Sequence, residues 1–225
     1  MHGTMKLAAA LGGLSIAAIV AAQAGGPAAR TTAAPARKTA DPRLVKRGDY
    51  LVRIAGCHDC HTPFKLDEAL GMPVPDMSRA LSGHPENGPD PASTYTKPDM
   101  GIMGPTMTSF ALPFGVVYAS NITSDPTTGI GSWKEDAFVK AMRTGRHAGA
   151  GRPILPPMPW ANMAAMTDED LRAVYLYLQS TTPIRNAVPK PKVPPEAMQQ
   201  ISAAYEKMGA QHGAPPAAPR AGGTR

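Results

Sequence analysis

The feature that most constrains this chain is the run Cys57-His58-Asp59-Cys60-His61, which contains both cysteines of the 225-residue sequence. Two cysteines are too few for a small secreted fold held together by several disulfides. A structural zinc site usually takes four ligands from two separated pairs, and the chain has no second cysteine pair. A thioredoxin-type dithiol follows a strand within a βαβ pattern, and no such pattern surrounds these residues.

The spacing instead indicates covalent haem. Two thiols three residues apart can each form a thioether with a vinyl group of haem, and the histidine that follows directly reaches the iron. The sequence therefore predicts Cys57 and Cys60 as the attachment residues and His61 as the proximal iron ligand, with His58 as a spacer that points away from the iron. Because the motif occurs once, we expect one covalently bound haem c per chain.

A buried porphyrin also accounts for the composition. Aromatic residues make up only 5% of the chain, although aromatic side chains usually dominate a protein core. Either the folded part is small, or a group other than side chains fills its centre. Haem would fill it.

The formal net charge of +6 comes from the two ends of the sequence. Residues 41–182 contain 13 basic and 15 acidic residues, so the central region has no basic excess that could neutralise phosphates. We therefore expect no nucleic-acid partner.

Residues 1–24 are predicted to be a signal peptide. Lys6 provides a positive start, an uncharged apolar run follows, and residues 22–24 have the small-x-small form of a cleavage site. An uncleaved membrane anchor is the alternative, since no further charge appears before Arg30. Both alternatives place the folded part outside the cytoplasm, so we expect a periplasmic protein, attached to the inner membrane in the second case.

Beyond this leader the sequence divides into three parts. A flexible basic linker is predicted over residues 25–40, a folded domain over 41–182, and a Pro- and Ala-rich tail over 183–225. Only residues 195–208 of the tail have the pattern of a short helix. Because the tail lacks a sustained apolar period, we expect it to be mobile, and we expect removal of residues 186–225 to leave the absorption spectrum unchanged.

Three helices are predicted within the folded domain. The first begins with Asp41 as cap and proline at the first helical position, and it ends at Gly56. The second begins with a capping box formed by Ser132 and Glu135. The third is capped by Thr167. The long span between residues 62 and 115 is rich in Pro and Gly and is predicted as irregular loops.

Met158 is the candidate for the other axial ligand of the iron. Prolines on both sides hold it in a stiff, extended loop between the second and third helices. A Met ligand favours electron transfer, whereas an open position favours ligand binding or catalysis. The sequence leaves other candidates open, namely Met72, Met77, Met100, Met103, Met107, His84 and His147.

The order of these features resembles the class I cytochrome c family, which has a helix, Cys-x-x-Cys-His, loops, a Met ligand, and a C-terminal helix packed across the first. Shorter phrases resemble the cytochrome c domains of bacterial alcohol, aldehyde and gluconate dehydrogenases, Asn-Ile-Thr and Met-Pro-Trp above all. The phrases occupy residues 47–51, 57–61, 121–123, 129–133, 157–160 and 167–171. The chain departs from the multi-haem subunits of that group because it has a single attachment motif.

The resemblance implies an all-α, cytochrome c-like fold in which the N- and C-terminal helices cross around the haem. The residues themselves indicate Gly48 and Tyr175 at the crossing, because a missing side chain on the apolar face lets another helix approach closely. It implies a periplasmic electron carrier, not an enzyme, with His61 and Met158 on the iron. A dehydrogenase would be the electron donor, and an oxidase or another cytochrome the acceptor. A haem enzyme or gas sensor with an open sixth position is the alternative. Trp160, Arg143, Arg146 and Arg152 are candidates for the haem propionates, the alternative for the arginines being a solvated surface.

Overall fold

The structure, a computed structural model, describes residues 40–91 and 99–212. The predicted signal peptide and all but the last residue of the predicted linker lie outside this part of the chain. The described residues form six α-helices and five short strands. The helices are α1 (Pro42–Ile54), α2 (Cys57–His61), α3 (Glu135–Thr144), α4 (Trp160–Ala164), α5 (Asp168–Ser180) and α6 (Pro195–His212). The strands are β1 (Phe64–Asp67), β2 (Met72–Pro75), β3 (Ile102–Met103), β4 (Ser109–Leu112) and β5 (Gly115–Tyr118).

The starts of α1 and α5 confirm the predicted caps. The Asp41 carboxylate accepts a hydrogen bond from the backbone N–H of Arg43 at 2.9 Å, and the Thr167 hydroxyl accepts one from the backbone N–H of Asp170 at 3.1 Å. Each cap satisfies a donor that the first turn of a helix leaves without a partner. Among the helices that the structure describes, none combines the length and apolar character needed to span a bilayer.

Gly48 lies where α1 crosses α5, as predicted. A Cβ atom at this position would be 2.0 Å from the carbonyl oxygen of Ala173 and 2.6 Å from the Cβ of Tyr177, so a larger residue would push the helices apart. Tyr175 packs against the cluster of buried residues around the crossing, and its hydroxyl donates to the carbonyl of Trp133 at 2.9 Å. The buried residues around the crossing, here the crossing cluster, are Leu51, Val52, Leu81, Ile130, Phe138, Ala173, Val174 and Leu178.

The fold is not all-α as expected, because it contains two small antiparallel sheets. β1 and β2 form a hairpin, in which Phe64 lies opposite Pro75, and β3, β4 and β5 form a three-stranded sheet. The strands have two to four residues each. Runs this short show no alternation that a sequence pattern can reveal, and the prolines within β2 argue against a strand.

The second predicted helix begins later than its capping box indicated. α3 starts at Glu135, with Lys134 as the cap residue. Ser132 instead belongs to a turn that is closed by a hydrogen bond from the backbone N–H of Trp133 to the carbonyl of Ile130, at 3.0 Å. Because Trp133 packs against the crossing cluster, the chain turns to bury this side chain before the helix begins.

The segment after residue 182 packs on the domain, contrary to the expectation of a separate tail. Lys192 exchanges two backbone hydrogen bonds with Val116 of β5, at 3.0 and 2.8 Å. Asn186 is buried, as is Tyr205 on α6. The folded domain therefore continues past residue 182 and includes most of α6.

Candidate functional site

The five residues of the cysteine motif form α2, which follows α1 after a turn at Gly56. Gly56 has a φ of +68°, a conformation that suits glycine and redirects the chain between the two helices. Residues three apart lie on the same side of a helix, so Cys57 and Cys60 face a common direction. Both are half-buried free thiols.

The two thiols contact different apolar clusters. Cys57 packs against the crossing cluster. Cys60 packs against a second group, here the sheet cluster, which consists of the buried residues Phe110, Val117 and Leu155. The attachment motif therefore lies between the helical part of the core and the three-stranded sheet.

The thiols do not have the electrostatics of a redox-active pair. Burial raises the pKa of Cys57 to about 11, and burial also raises the pKa of Cys60, with a smaller contribution from Asp59. Reactive dithiols have a lowered thiol pKa, because the thiolate is the nucleophile. This agrees with the rejection of a thioredoxin-type motif.

The His61 ring is oriented by a backbone carbonyl. Its Nδ1 atom lies 2.7 Å from the carbonyl oxygen of Ser120, a contact in which Nδ1 donates. The tautomer that this hydrogen bond selects leaves the lone pair of Nε2 directed away from Ser120, which is how metal-binding histidines are typically held. Burial lowers the pKa of His61, which keeps the ring neutral as iron ligation requires. The residues present therefore fit haem c.

Residues on both sides of Ser120 form backbone hydrogen bonds with a neighbouring segment. The N–H of His84 donates to the carbonyl of Ala119 at 2.9 Å, and the N–H of Ile122 donates to the carbonyl of Leu81 at 3.0 Å. Two chain segments, around residues 81–84 and 119–122, thus support each other next to the motif. The carbonyl that accepts from the His61 ring thus belongs to a segment with backbone hydrogen bonds of its own.

Gly83 links the same segments to the motif. Its backbone N–H donates to the carbonyl of His61 at 2.8 Å. Its φ is +76°, and a Cβ atom there would lie 2.5 Å from the carbonyl carbon of Ser120. Sequence analysis identified neither Gly83 nor Ser120. The one available signal was the Asn-Ile-Thr phrase that follows Ser120 directly.

His58 has contacts that suit the spacer role predicted for it. Its Nδ1 atom lies 3.0 Å from the Thr62 hydroxyl, which also accepts a hydrogen bond from the backbone N–H of Leu81 at 3.0 Å. His58 therefore connects the end of α2 to the segment that supports Ser120.

Met158 is half-buried in the loop that leads into α4. The loop is closed by hydrogen bonds from the N–H of Met158 to the carbonyl of Leu155, at 3.2 Å, and from the N–H of Trp160 to the carbonyl of Met158, at 2.9 Å. Leu155 belongs to the sheet cluster, against which Cys60 also packs. The loop thus begins at the same apolar surface as the attachment motif.

The other candidate ligands lie in varied surroundings. Four methionines are largely exposed, namely Met72 (54%), Met77 (57%), Met100 (41%) and Met103 (51%). The buried His84 has its Nδ1 atom 2.9 Å from the Thr108 hydroxyl. His147 meets the edge of the Trp133 ring, with ring centroids 4.9 Å apart.

The propionate candidates have partners within the protein. Arg143 donates to the carbonyls of Ala164 and Met166 and forms an ion pair with Asp168 at 2.6 Å, so it braces α3 against the connection between α4 and α5. Arg146 pairs with Glu206 of α6 at 2.9 Å. Arg152 donates to the carbonyl of Pro153 at 3.1 Å, and Trp160 is buried. Among the described residues, no three His, Cys, Asp or Glu side chains gather into a metal-binding group.

Comparison with known proteins finds relatives over most of the chain. The chain is 33% identical over 156 residues to the gluconate 2-dehydrogenase cytochrome c subunit of Pantoea cypripedii, a match that covers 69% of this chain and 27% of that protein. It is 32% identical over 138 residues to the cytochrome c subunit of the alcohol dehydrogenase (quinone) of Gluconobacter oxydans, with coverage of 61% and 21%. It is 27% identical over 161 residues to the fructose dehydrogenase cytochrome subunit of Gluconobacter japonicus, with coverage of 71% and 26%. The chain thus spans about a quarter of the length of these relatives. No protein-family model matches it.

Proposed function

Because homologues of this chain are the cytochrome c subunits of bacterial gluconate, alcohol and fructose dehydrogenases, we propose that it is a c-type cytochrome that carries single electrons for a dehydrogenase. The observation that carries the proposal is the His61 ring, which follows two free thiols on one short helix and is oriented by the Ser120 carbonyl at 2.7 Å. On this proposal the chain is an electron-transfer protein and not an enzyme.

Four residues would hold one haem c. Cys57 and Cys60 would form the two thioethers, and His61 and Met158 would bind the iron. When bound, the haem supplies an iron that takes up and releases one electron at a time. The crossing cluster and the sheet cluster provide the apolar surroundings, which exclude water and favour Fe(II).

The redox partners follow from the same proposal. A dehydrogenase subunit is the electron donor, and an oxidase or another cytochrome is the acceptor. The protein works in the periplasm. Residues 1–24 either direct its export as a signal peptide or hold it at the inner membrane. Stopped-flow reduction by the dehydrogenase encoded nearest to its gene tests the donor, and an absence of reduction would contradict this assignment.

The first expected outcome is one haem per chain. Expression with export in a host that matures c-type cytochromes should give a protein that stains for haem after denaturing electrophoresis, with a pyridine haemochrome ratio of one haem to one chain. A double Cys57→Ser, Cys60→Ser variant should lose the stain, while Ser82→Ala, a control outside the motif, should keep it. A wild-type protein without covalent haem would overturn the proposal.

The second expected outcome concerns Met158. Thioether sulfur favours Fe(II) more than nitrogen or oxygen ligands do, so Met158→Ala and Met158→His should both lower the reduction potential and abolish the Met–Fe(III) charge-transfer band. Met77→Ala, a change at an exposed methionine, is the matched control and should change neither property. Potentiometric titration and near-infrared absorption measure the two quantities.

A Met158→Ala variant that keeps the band and the wild-type potential would show that another residue binds the iron. A wild-type ferric protein that is high-spin and binds carbon monoxide readily when reduced would favour the haem enzyme or gas sensor instead.

A further inference from the structure

The loop that contains Met158 is anchored at both ends by the C-terminal segment of the chain. At its start, Leu155 lies in the sheet cluster, against which Val193, Met198 and Ile201 pack. At its end, Trp160 lies in a third buried cluster with Ala164 and Tyr205, and Ile201 and Met208 pack against that cluster as well. Ile201 of α6 therefore contributes to both anchors.

Trp160 is the more closely held of the two ends. Its ring is 2% exposed and packs against the ring of Tyr205, with centroids 4.9 Å apart and an angle of 54° between the planes. A Cβ atom on Gly145, the residue that ends α3, would lie 2.4 Å from the Trp160 ring. The Trp160 ring therefore lies against Gly145 at the end of α3 and against Tyr205 on α6. A displacement of the ring would disturb both contacts.

The C-terminal segment is fixed to the domain independently of these contacts. Lys192 pairs with Val116 at the edge of the sheet, and Glu206 forms an ion pair with Arg146 at 2.9 Å. Since α6 has its own attachments, it can resist movement of the loop that it touches.

The prolines next to Met158 restrict the backbone only locally. They set the shape of the loop, but they do not determine where the loop lies relative to the rest of the domain. That placement depends on the residues at its two ends, Leu155 and Trp160.

We propose that α6 positions the distal ligand, with Tyr205 as the positioning residue that holds Trp160 and thereby keeps the Met158 sulfur at the iron. This inference rests on the proposed His61 and Met158 ligation. Tyr205 is a positioning residue and not a ligand. Its ring acts through Trp160, two residues beyond Met158.

The test compares how easily imidazole displaces Met158 from the ferric holoprotein. Loss of a buried aromatic partner should loosen the loop, so Tyr205→Ala should raise the rate of imidazole binding about tenfold and weaken the Met–Fe(III) charge-transfer band. Tyr205→Phe retains the ring and should raise the rate much less than Tyr205→Ala does. Tyr50→Ala removes a ring of the same size from an exposed site on α1 and should leave the rate unchanged.

A control for general loss of stability completes the design. Leu178→Ala removes buried volume from the crossing cluster, away from the loop. It should lower the thermal midpoint and raise the rate of imidazole binding much less than Tyr205→Ala does. Should Tyr205→Ala yield no folded holoprotein, Tyr205→Leu takes its place with the same expectation in a weaker form.

Three results would overturn the inference. The first is a Tyr205→Ala holoprotein with the wild-type rate and band, while Met158→Ala loses the band. The second is a Leu178→Ala variant that binds imidazole as fast as Tyr205→Ala. The third is a band that survives in Met158→Ala, which would refute the ligand assignment of the proposed function and this inference with it.

Discussion

At the scale of single residues, the environment of His61 depends on a glycine more than twenty positions away. Gly83 donates to the His61 carbonyl at 2.8 Å and lies against the Ser120 carbonyl that accepts from the His61 ring. A side chain at position 83 would therefore push directly on the carbonyl that orients the His61 ring.

Gly83→Ala should raise the reduction potential. A displaced Ser120 carbonyl accepts more weakly from Nδ1, which makes the imidazole less electron-rich and stabilises Fe(III) less. The positive φ should cost about 1 kcal/mol of stability, and the clash about 1–3 kcal/mol more. Gly71→Ala is the matched control, because Gly71 also has a positive φ, +65°, but a Cβ there would meet nothing within 4 Å.

Potentiometric titration and exchange of the His61 Nδ1 proton, followed by NMR in the ferrous protein, check this expectation. Faster proton exchange and a higher potential in Gly83→Ala alone would support it. Equal potentials in the two glycine variants would show that Gly83 has no influence on the proximal ligand.

At the scale of elements, the loop between β5 and α3 is built by side-chain hydrogen bonds instead of regular structure. The Asn121 Oδ1 atom accepts from the N–H and the hydroxyl of Thr123 at 3.0 and 2.7 Å. The Asp125 carboxylate accepts from the N–H groups of Thr127 and Thr128 at 3.1 and 2.6 Å, and from both of their hydroxyls. This hydrogen-bonded loop includes Ser120, whose carbonyl accepts from the His61 ring.

The Asp125 carboxylate should make stability depend on pH in the acid range. Hydrogen bonds from Thr128 and Thr127 lower the pKa of Asp125 to about 2, whereas an unfolded Asp titrates near about 3.9. A lowered pKa means that the ionised form stabilises the fold, so the contribution is complete above about pH 4 and is lost as the pH falls through about 2.

Asp125→Asn should therefore lower the thermal midpoint at pH 7 and flatten its decrease between about pH 4 and pH 2, since the amide has one acceptor oxygen and does not titrate. Asp99→Asn, at an exposed turn, is the control and should follow the wild-type profile. Thermal unfolding followed by circular dichroism from pH 2 to pH 7 makes the comparison. Parallel profiles for wild type and Asp125→Asn would contradict the expectation.

At the scale of the whole molecule, the C-terminal segment packs against chain segments that lie next to the site. Asn186 is 2% exposed and uses its whole side chain. Its Nδ2 atom donates to the carbonyls of Ser82 and His84 at 2.7 and 2.8 Å, and its Oδ1 atom accepts from the N–H of Glu86 at 2.9 Å and from Arg79 at 3.1 Å. These hydrogen bonds hold the segment that contains Gly83 against the start of the C-terminal segment.

Removal of residues 186–225 should consequently reduce the yield of folded holoprotein severalfold, because it leaves the buried carbonyls of Ser82 and His84 without partners and uncovers Trp160. The sequence pattern alone led to the opposite expectation. Removal of residues 213–225 deletes none of the described residues and serves as the control. Yields are compared by haem staining and thermal unfolding, and a fully stable 1–185 protein with the wild-type spectrum would contradict the structural account.

The sequence by itself determined the features that depend on neighbours within a few positions. The two thiols and His61 lie within one helical turn and a half, so their spacing was enough to predict that they lie together. The caps at Asp41 and Thr167 were likewise readable, because each acts on a backbone N–H two or three residues away. Gly48 was identified because it lies on the apolar face of its helix. A glycine on such a face more often marks a close helix contact than a site exposed to solvent.

Only the tertiary structure decided which distant groups complete the site. The Ser120 carbonyl lies 59 positions from His61, and a backbone carbonyl leaves no trace in the residue type. Asn186 reaches across more than 100 positions to the segment that carries Gly83. The strands of two to four residues and the weakly amphipathic α6 are stabilised by what they pack against, not by their own patterns. The packing of α6 against the two ends of the Met158 loop could not be predicted either. Packing between elements far apart in the chain follows from the fold and not from local sequence.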